Sequence, residues 1–467
     1  MFTIKIKTIF VSLMAVPMIA LLFSFHQRAA KTPGPMEIGV SRIDITPAYP
    51  VRLTGYGDRR KVFDSVEQKL WAKAIVLDQK GKQPMVWITL DLVGFPGFFA
   101  DDLFGRLAKK IGLNDRAQLV VSATHTHNGP ETGVLLNIFG ETLPPDQLAD
   151  VKLYRDNLLN KLEMLVMNAY SLKAPGKLSW AVDNVSFAMN RRVMENGKWK
   201  DFGETPDGPV DHDLPVLRAT DQQGKLIALL LNYACHGTTL VPEHNFVHGD
   251  WMGSTQQMLE EKYPGVTAMV AIGCAGDANP SPRGAFSHLN QHAVMITDKI
   301  DKLLRSDKFT ALNGIPVGKM KMVELSFTHV PNARELAEQS KLDAAQGLYA
   351  RNSLEILAQG GSISNTMLYP VQVWSFENQL AIVFLGGEVV VDYSQRIKRE
   401  FNKEKIWVNA YSNDVSTYIA SKRLFSEGGY EVDGSMPYYN HPSRLTEDTE
   451  EKIMKTIHEL IPKEFRR

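Results

Sequence analysis

Two histidines separated by one residue are the first side chains of this sequence whose types and spacing suggest chemistry. His125 and His127 follow a strand-like run at residues 117–121, and the loop after them contains Gly129-Pro130, a pair that favours a turn. Because side chains alternate along a strand, the two imidazoles leave its end on opposite sides. One can therefore face a metal ion while the other reaches a different part of the same pocket. Taken alone, the pair is equally typical of ordinary surface or core histidines.

Two more side chains of metal-ligand type stand at the ends of apolar runs. His236 follows the run at 226–231, and Gly237 after it lets the backbone turn away, so that the imidazole can approach a metal closely. Glu388 follows the run at 380–385 and a glycine pair. A carboxylate there is also explained by the dipole of a helix that it opens. Two histidines and a glutamate at three strand ends match the inner shell of a catalytic zinc that keeps one position open for water.

These residues must be positioned by a sheet, since each follows an apolar run of strand length. Strand-like runs lie at 74–77, 85–90, 118–122, 226–233, 267–272, 317–327, 371–376 and 380–385. Helical patterns lie at 98–111, 146–167, 254–263, 288–304, 333–345, 354–359, 389–401 and 447–460. This alternation predicts an α/β fold, with a mixed β-sheet core flanked by helices and the metal site at strand ends. Because no linker interrupts the chain after residue 35, one domain is predicted over 35–467.

Composition limits the possible partners. The 467 residues include 52 Lys+Arg and 52 Asp+Glu. No excess of positive charge is available to neutralise phosphates, so no nucleic-acid partner is expected. The two cysteines, Cys235 and Cys274, lie beside candidate site residues. A disulfide between them is allowed in an oxidising compartment, but small buried side chains packed under the site are the favoured interpretation.

The first 34 residues have the layout of an export signal. Lys5 and Lys7 precede an apolar run at 9–25, and polar residues follow it. We expect residues 1–34 to be a signal peptide or, if uncleaved, an N-terminal membrane anchor, and we exclude them from the fold. The protein is therefore expected to be exported to a periplasm or secreted, with membrane association possible through this segment.

The chain resembles the N-terminal, catalytic domain of the neutral/alkaline non-lysosomal ceramidases. Thr124-His125-Thr126-His127 and His236-Gly237-Thr238 are the more specific matching segments. The resemblance extends, in order, over 38–47, 55–57, 70–74, 123–127, 190–191, 216–218, 236–238, 249–250, 276–277 and 387–388. It implies a zinc ion held by His125, His236 and Glu388. It also implies that His127 and Arg191 position the substrate and stabilise the developing oxyanion.

One departure from the family concerns its reaction centre. The family's Gly-Asp-x-Ser-Pro segment here reads Gly276-Asp277-Ala278-Asn279-Pro280. Asn279 cannot act as a base or nucleophile, but its amide can hydrogen-bond a substrate oxygen. Ser281 would replace the family's serine only through a register shift. Asp277 is expected to orient a histidine or to support a ligand from behind.

Two further departures concern the fourth ligand and the end of the chain. The family's fourth ligand is a tyrosine, and aligning the stretch 409–418 places Asp414 at that position. A carboxylate is a good zinc ligand, so Asp414 is the predicted fourth ligand. Tyr411 is the alternative ligand, and Asp414 would then only cap a turn. The family's C-terminal β-rich domain is expected to be absent.

The predicted activity is zinc-dependent hydrolysis of an amide bond, in N-acylsphingosine or a related N-acyl substrate, by a metal-activated water. The expected partner is thus a small-molecule or lipid substrate. Apolar side chains near the site would either line a groove for alkyl chains or pack as a lid: Phe95, Phe98, Phe99, Leu135, Leu136, Ile138 and Phe139. Two alternatives stay open. One is a hydrolase of a more polar ester or carbohydrate-derived substrate, and the other is a catalytically silent, exported metal-binding protein.

Overall fold

The β-strands account for the apolar runs that precede the candidate site residues. The structure, a computed structural model, describes Met1, Thr3 and residues 34–57, 59–133, 143–306 and 308–467, so the proposed signal or anchor lies almost wholly outside the described residues. The strands are β1 (Met36–Asp44), β2 (Trp71–Gln79), β3 (Met85–Leu90), β4 (Leu119–Ala123), β5 (Ala174–Asn184), β6 (Ala188–Glu195), β7 (Lys198–Thr205), β8 (Asp213–Asp221), β9 (Leu226–Tyr233), β10 (Thr267–Ile272), β11 (Ala278–Pro280), β12 (Thr310–Leu312), β13 (Val317–Ser326), β14 (Thr366–Phe376), β15 (Leu380–Leu385), β16 (Glu388–Val389), β17 (Ile406–Asn409) and β18 (Tyr418–Ile419).

Most of the helices coincide with the predicted helical patterns. They are α1 (Gly97–Ile111), α2 (Pro145–Ser171), α3 (Asp250–Lys262), α4 (Phe286–Ser306), α5 (Ala333–Gln339), α6 (Ala345–Ala358), α7 (Val391–Glu400), α8 (Lys422–Glu427) and α9 (Thr449–Leu460). The pattern predicted at 333–345 was wrong in extent, because it spans the end of α5 and the break before α6. Within the described ranges, no helix is long and apolar enough to cross a membrane.

The large sheet is mixed, as predicted. Its strand order is β10-β9-β8-β5-β1-β2-β3-β4, and β12 pairs with β5 outside this path. The β9–β10 and β3–β4 pairs are parallel, whereas the pairs between them are antiparallel. Residues 34–467 form one compact unit around it. The predicted strand runs did not include β1, β5, β8 or β12 of this sheet. They also missed β7, which is largely exposed and leaves no apolar run.

A second sheet packs on the first, which the sequence did not indicate. It has the order β13-β14-β15-β17. Trp87 of β3 lies at the contact between the sheets, with ring centroids 4.7 Å from Phe384, 5.7 Å from Trp407 and 6.1 Å from Trp374. Successive side chains of β3 therefore enter different cores on its two faces, and all six of its residues are buried. Burial on both faces explains why such strands read as continuous apolar runs.

Helices cover the outer faces of both sheets. α2 packs on β1 and β2, α3 on β10 and α4 on β5, while α9 packs on β13 and β14 and α7 on β17. The architecture is thus helices, sheet, sheet, helices, which agrees with the predicted sheet core flanked by helices.

The two edges of the large sheet are joined by one segment of the chain, residues 410–413. The Ala410 N–H donates to the carbonyl oxygen of Ile272, at the end of β10, and the Ala123 N–H, at the end of β4, donates to Tyr411. Asn413 continues the contact by donating to Val121. The ends of β4, β10 and β17 consequently lie side by side, and the loops that follow them share one pocket.

Candidate metal centre

His125 follows the end of β4 and is held there by backbone contacts. Its N–H donates to the carbonyl oxygen of Leu92, and its ring Nδ1 lies 2.6 Å from the carbonyl oxygen of Val93. Because a carbonyl oxygen only accepts, Nδ1 carries the ring proton and Nε2 presents a lone pair. The residue is 1% exposed and has φ 60, an uncommon left-handed conformation for a side-chain-bearing residue.

His236 follows β9 and is oriented in the same way. Its Nδ1 lies 2.6 Å from the carbonyl oxygen of Ala275, so its Nε2 is also unprotonated. Burial and the Arg191 cation lower the pKa of His236 to about 3, which keeps the imidazole neutral. The next residue must be glycine, because a Cβ on Gly237 would lie 2.4 Å from the carbonyl oxygen of His125. Through this close approach the two histidine loops are packed together.

Glu388 brings its carboxylate to both imidazoles. Its Oε2 lies 3.1 Å from His125 Nε2 and 3.0 Å from His236 Nε2. Burial alone would raise the pKa of Glu388, but attraction to His125 and His236 lowers it well below its ordinary value. That attraction requires positive charge on the histidine side, from a shared proton or from a bound cation. Tyr439 donates its hydroxyl to the other oxygen, Oε1. The residue does not open a helix, since it forms β16 with Val389 and α7 begins only at Val391.

Three atoms of metal-ligand type therefore converge, although His236 Nε2 also faces Arg191 Nη1 at 3.3 Å and His125 Nε2 faces His127 Nε2 at 3.2 Å. Among the described residues, Glu388 Oε2 is buried and has no hydrogen-bond donor. Acceptors about 3 Å apart repel one another unless a cation lies between them. Imidazole nitrogens and a carboxylate oxygen are the donor set of a zinc site, so these residues fit such an ion.

His127 lies at the border of this group. Its Nε2 is 3.2 Å from His125 Nε2, and the ligand atoms of His125, His127 and His236 all lie within 4.8 Å of one another. These three buried imidazoles could hold a metal ion. Burial and the neighbouring imidazoles lower the pKa of His127 well below its ordinary value, so its ring is neutral. The sequence predicts that His127 positions the substrate. Its place in the structure allows either that role or a role as a metal ligand.

Asp414 is the sequence-predicted ligand that the structure places elsewhere. Its Oδ1 accepts a hydrogen bond from the backbone N–H of Ser416, 3.0 Å away, and another from the Ser416 hydroxyl. The carboxylate also lies against Gly97, where it accepts from the first N–H of α1. A helix N-terminus attracts negative charge, and this interaction draws the carboxylate away from the imidazoles. The prediction that Asp414 is the fourth ligand is therefore not supported, because its carboxylate is bound by Ser416 and Gly97.

Tyr411, the alternative ligand, lies in the cluster. Its ring centroid is 4.4 Å from that of His125 and 6.1 Å from that of His236. The hydroxyl is buried and has no hydrogen-bond partner among the described residues. An unsatisfied buried hydroxyl is costly, and a metal ion would satisfy it.

Arg191 borders the cluster from β6. Its Nη1 lies 3.3 Å from His236 Nε2, its Nη2 donates to the Tyr418 hydroxyl at 3.1 Å, and its Nε donates to Glu431 at 3.0 Å. Burial disfavours the charged form, but Tyr418 and Glu431 raise the pKa of Arg191 well above its ordinary value. The residue is therefore a fixed cation beside the imidazoles.

Asn279 lies beside Arg191, whereas Asp277 lies farther from the imidazoles, next to the start of α7. Asn279 Oδ1 accepts from the Thr238 hydroxyl at 3.2 Å and faces Arg191 Nη1 at 3.5 Å. Within the described ranges, the hydrogen bonds to the Asp277 side chain come from the Val391 N–H at 2.9 Å and from Asn190, and not from a histidine. Burial raises the pKa of Asp277 to about 7. It supports the turn between Glu388 and α7 rather than orienting an imidazole.

A cavity of about 290 Å³ opens onto these residues. Its lining is mainly cationic and aromatic: Arg52, Arg59, Arg191, Arg283, Tyr56, Phe202, Tyr418, Tyr430, Tyr438 and Tyr439, with His125, His127, Glu131 and Glu388 among the other residues. The sequence singled out only a few of these. No sequence pattern marked three residues of the site region, because they come from segments far from the histidines in sequence: Tyr418, Glu431 and Tyr439.

The predicted alkyl groove is not formed by the described residues. Phe95 and Phe99 are buried in the main core with their ring centroids 5.7 Å apart, and Phe98 is exposed. Of the two predicted alternatives, the structure therefore favours packing over a groove for Phe95 and Phe99. Leu135, Leu136, Ile138 and Phe139 lie outside the described residues. Cys235 and Cys274 are buried and unpaired, consistent with packing under the site.

Comparison with known proteins identifies related sequences. A family model described as neutral/alkaline non-lysosomal ceramidase, N-terminal, matches residues 36–298. The neutral ceramidase of Pseudomonas aeruginosa is 24% identical over 254 residues, which cover 53% of this chain and 37% of that protein. Neutral ceramidase 1 of Arabidopsis thaliana is 22% identical over 267 residues, covering 55% and 33%. The matched part thus spans about a third of the length of these curated relatives.

Solved structures share the fold. The crystal structure of neutral ceramidase from Pseudomonas aeruginosa has a TM-score of 0.67 and 17% identity, and the match covers 92% of this chain and 75% of that chain. A ceramidase complexed with C2 has a TM-score of 0.69 and 16% identity, covering 91% and 74%. These matches confirm the predicted fold class and the resemblance that the motifs indicated.

Proposed function

Because the chain belongs to the neutral/alkaline non-lysosomal ceramidase family, we propose that it is a zinc-dependent hydrolase that cleaves the amide bond of an N-acyl substrate. The observation that carries this proposal is the convergence of His125 and His236 Nε2 on one oxygen of Glu388. Ligand atoms at such separations suit one small cation bound by all three. The names of the relatives suggest N-acylsphingosine as the substrate.

The ligands of the ion are His125, His236 and Glu388, with Tyr411 as the fourth. When bound there, zinc supplies a Lewis acid and a water of lowered pKa. The backbone carbonyls of Val93 and Ala275 hold the two imidazoles in the tautomer that ligation requires. This arrangement supports the proposal that the site is built before the metal arrives.

Arg191 and Asn279 would stabilise the oxyanion. The guanidinium lies between His236 and Asn279, so an oxygen bound beside the imidazoles meets a fixed positive charge. The side-chain oxygen of Asn279 accepts a hydrogen bond from the Thr238 hydroxyl, so the amide N–H groups point away from Thr238. These N–H groups can donate to the substrate carbonyl where the family has a serine.

His127 would contribute a proton donor. A neutral ring whose Nε2 lies 3.2 Å from the unprotonated His125 Nε2 donates its proton to that atom. Once His125 uses its lone pair as a ligand, the His127 N–H is released for a substrate oxygen or for the leaving amine. Ligation and proton donation are thereby coupled in two residues of one loop.

A second candidate function is favoured by the cavity lining. Four arginines and several tyrosines face the cavity, while Phe95 and Phe99 do not. The arginines can bind polar groups of a substrate, although the aromatic rings between them can also pack against an acyl chain. A hydrolase of a smaller, polar N-acyl or ester compound is therefore the alternative to a ceramidase.

Metal analysis tests the ligand set. Protein purified without added metal should contain about one zinc per chain, as a single four-ligand site requires. The double variant His125→Ala, His236→Ala should lose it, whereas the control His329→Ala, His458→Ala, whose imidazoles do not line the cavity, should keep it. Retention of full zinc by the first variant would disprove the assignment. His127→Ala should keep zinc and lose turnover; if it loses the metal, His127 is a ligand.

Substrate assays separate the two candidate functions. The zinc-loaded enzyme is incubated with N-acylsphingosines of short and long acyl chain, and separately with polar N-acyl compounds and esters. Faster release from longer chains would favour a lipid substrate, since each buried methylene adds about 0.8 kcal/mol. Turnover of the polar compounds alone would favour the second candidate. Stoichiometric zinc without turnover of any compound would indicate a silent metal-binding protein.

A further inference from the structure

The cavity holds more cationic than anionic side chains. Its lining includes four arginines, and its carboxylates are Glu131 and Glu388. Glu388 belongs to the proposed metal ligands, so its negative charge does not neutralise the four arginines. Which arginines already have carboxylate partners decides what charge the cavity offers to a substrate.

Two of these arginines are paired with carboxylates. Arg191 donates to Glu431, as described above, and Arg52 Nη2 lies 3.6 Å from Glu131 Oε2. A third, Arg59, donates to the backbone carbonyl oxygens of His127 and His244 and thereby holds the loop behind His127. These three guanidiniums therefore already bind other groups of the protein.

Arg283 differs from the other three. Its Nη2 donates to the Tyr56 hydroxyl at 3.3 Å, and its Nε is buried without a hydrogen-bond partner in the part of the chain that the structure describes. Within the same part, no carboxylate lies within 4.0 Å of its guanidinium. Asp250, another buried carboxyl, uses its oxygens on the backbone N–H groups of Thr239, Leu240 and Trp251.

Tyr56 connects Arg283 to the reacting centre. Its hydroxyl donates to the carbonyl oxygen of Leu240 at 2.6 Å, which leaves an oxygen lone pair for Arg283. The Tyr56 ring packs edge to face against the His127 ring, with the ring centroids 4.7 Å apart. The ring centroids of His127 and His125 are 4.8 Å apart. Burial raises the pKa of Tyr56, so this residue adds no negative charge. A group bound by Arg283 thus lies one aromatic side chain away from the histidine cluster.

We propose that Arg283, positioned by Tyr56, binds an anionic group on the substrate, and that the substrate is an N-acyl compound whose amine part carries a carboxylate, sulfonate or phosphate. A guanidinium that lines the cavity without a carboxylate partner is available to bind an anion that enters it. Its planar fork of N–H groups matches such oxyanions. This inference rests on the proposed hydrolysis of an N-acyl bond and specifies the substrate of that same site.

Binding is measured with analogues that cannot be hydrolysed. The zinc-loaded protein is titrated calorimetrically with the ketone analogue of an N-acylglycine, the matching ketone sulfonate, and a neutral ketone alcohol of the same chain length. The two anions should bind roughly tenfold more tightly than the alcohol, as expected for hydrogen bonds to a charged group. Arg283→Gln should bring all three within about twofold, and Arg283→Lys should restore part of the preference. The control Arg399→Gln, an exposed arginine outside the cavity lining, should leave the preference unchanged.

The outcomes separate this inference from the proposed function. Equal binding of acid and alcohol by the parent, or a preference that survives in Arg283→Gln, would overturn the role of Arg283. Hydrolysis of neutral N-acyl amines as fast as of N-acylglycines would overturn the anionic substrate and leave the hydrolase standing. Selective binding of the anions without hydrolysis of any amide would instead refute the proposed function and retain the anion site.

Discussion

At the scale of single residues, the site is defined by which atoms lack protons. The backbone carbonyls of Val93 and Ala275 accept hydrogen bonds from Nδ1 of His125 and His236, so each ring turns its Nε2 towards Glu388 Oε2. The three proposed ligand atoms are therefore directed at one point. The same reasoning excludes Asp414, whose carboxylate is already satisfied by Ser416 and the start of α1.

Replacing Asn279 tests the residue that stands in place of the family's serine. Asn279→Ala should lower kcat by about 100-fold, the usual cost of removing one oxyanion donor, and leave zinc at one ion per chain. Asn279→Ser is expected to gain hydrolysis of N-acylsphingosine. Turnover is measured by amine release and zinc by elemental analysis.

Ser281→Ala provides the matched control for Asn279. Ser281 donates its hydroxyl to Glu204 at 2.7 Å in an exposed position, so its loss should not change turnover. If Ser281→Ala abolishes activity while both Asn279 variants behave like the parent, the serine function lies at residue 281 and the role of Asn279 is wrong.

At the scale of elements, the segment around Tyr430 and Glu431 positions a strand residue. Glu431 lies in a single helical turn, Tyr430–Gly434, and its carboxylate accepts from Arg191 Nε and Arg192 Nη1, both on β6. Burial of all three groups makes their charges mutually dependent. The site thus depends on an element that supplies none of the proposed metal ligands.

Glu431→Gln should uncouple Arg191 from this support. We expect a larger fall in kcat than change in KM. Arg191 is proposed to stabilise the oxyanion of the transition state, so loss of its anchor should affect that state more than the bound substrate. The free energy of unfolding should fall by about 3 kcal/mol, since a buried cation loses its partner. Steady-state kinetics and urea unfolding measure the two effects.

Glu427→Gln is the control for Glu431→Gln. Glu427 contacts Arg192 and Arg423 but not Arg191, so its loss should affect stability with little change in kcat. Equal loss of kcat in both variants would show that Glu431 acts through general stability rather than through Arg191.

At the scale of the whole molecule, buried ionisable groups couple folding to pH. Burial lowers the pKa values of His248, His292 and His441 to about 4, so each is neutral in the fold. Their contribution is fully present above about pH 6.5 and is lost as the pH falls towards 4, because the unfolded chain binds the proton more readily. The raised pKa values of Asp277 and Asp414, about 7 and about 6, act in the opposite direction. The net dependence must therefore be resolved by variants.

His292→Phe isolates one of these contributions. The ring stacks on Phe187 with centroids 4.2 Å apart, so phenylalanine retains the packing and removes the titration. Between about pH 7.5 and about pH 5, the parent should lose about 2 kcal/mol more of its unfolding free energy than the variant. Urea unfolding at both pH values measures this difference, and identical losses would refute the lowered pKa of His292.

Export is a proposal for the chain as a whole, supported by Lys5, Lys7 and the apolar run at 9–25. Residues 1–34 fused to a reporter that is active only outside the cytoplasm should give signal. The double variant Leu13→Arg, Ile19→Arg should abolish the signal by charging the run. A silent parent fusion would contradict export.

The sequence by itself determined the class of the fold, and it singled out the two histidines and the glutamate that the structure brings together. Strands buried on both faces leave continuous apolar runs, and the side chains that follow their ends are visible without a structure. His125, His236 and Glu388 each lie two or three residues beyond the end of such a strand, which is why their chemistry could be predicted.

Only the tertiary structure decided what completes the site. Residues 410–413 bridge β4 and β10, the two edges of one sheet, and this contact brings Tyr411 to the imidazoles while Asp414 turns to α1. Arg191 is anchored by Glu431, 240 positions further along the chain. Such contacts leave no periodic signal, because they depend on how the strands and loops pack rather than on the sequence around each residue.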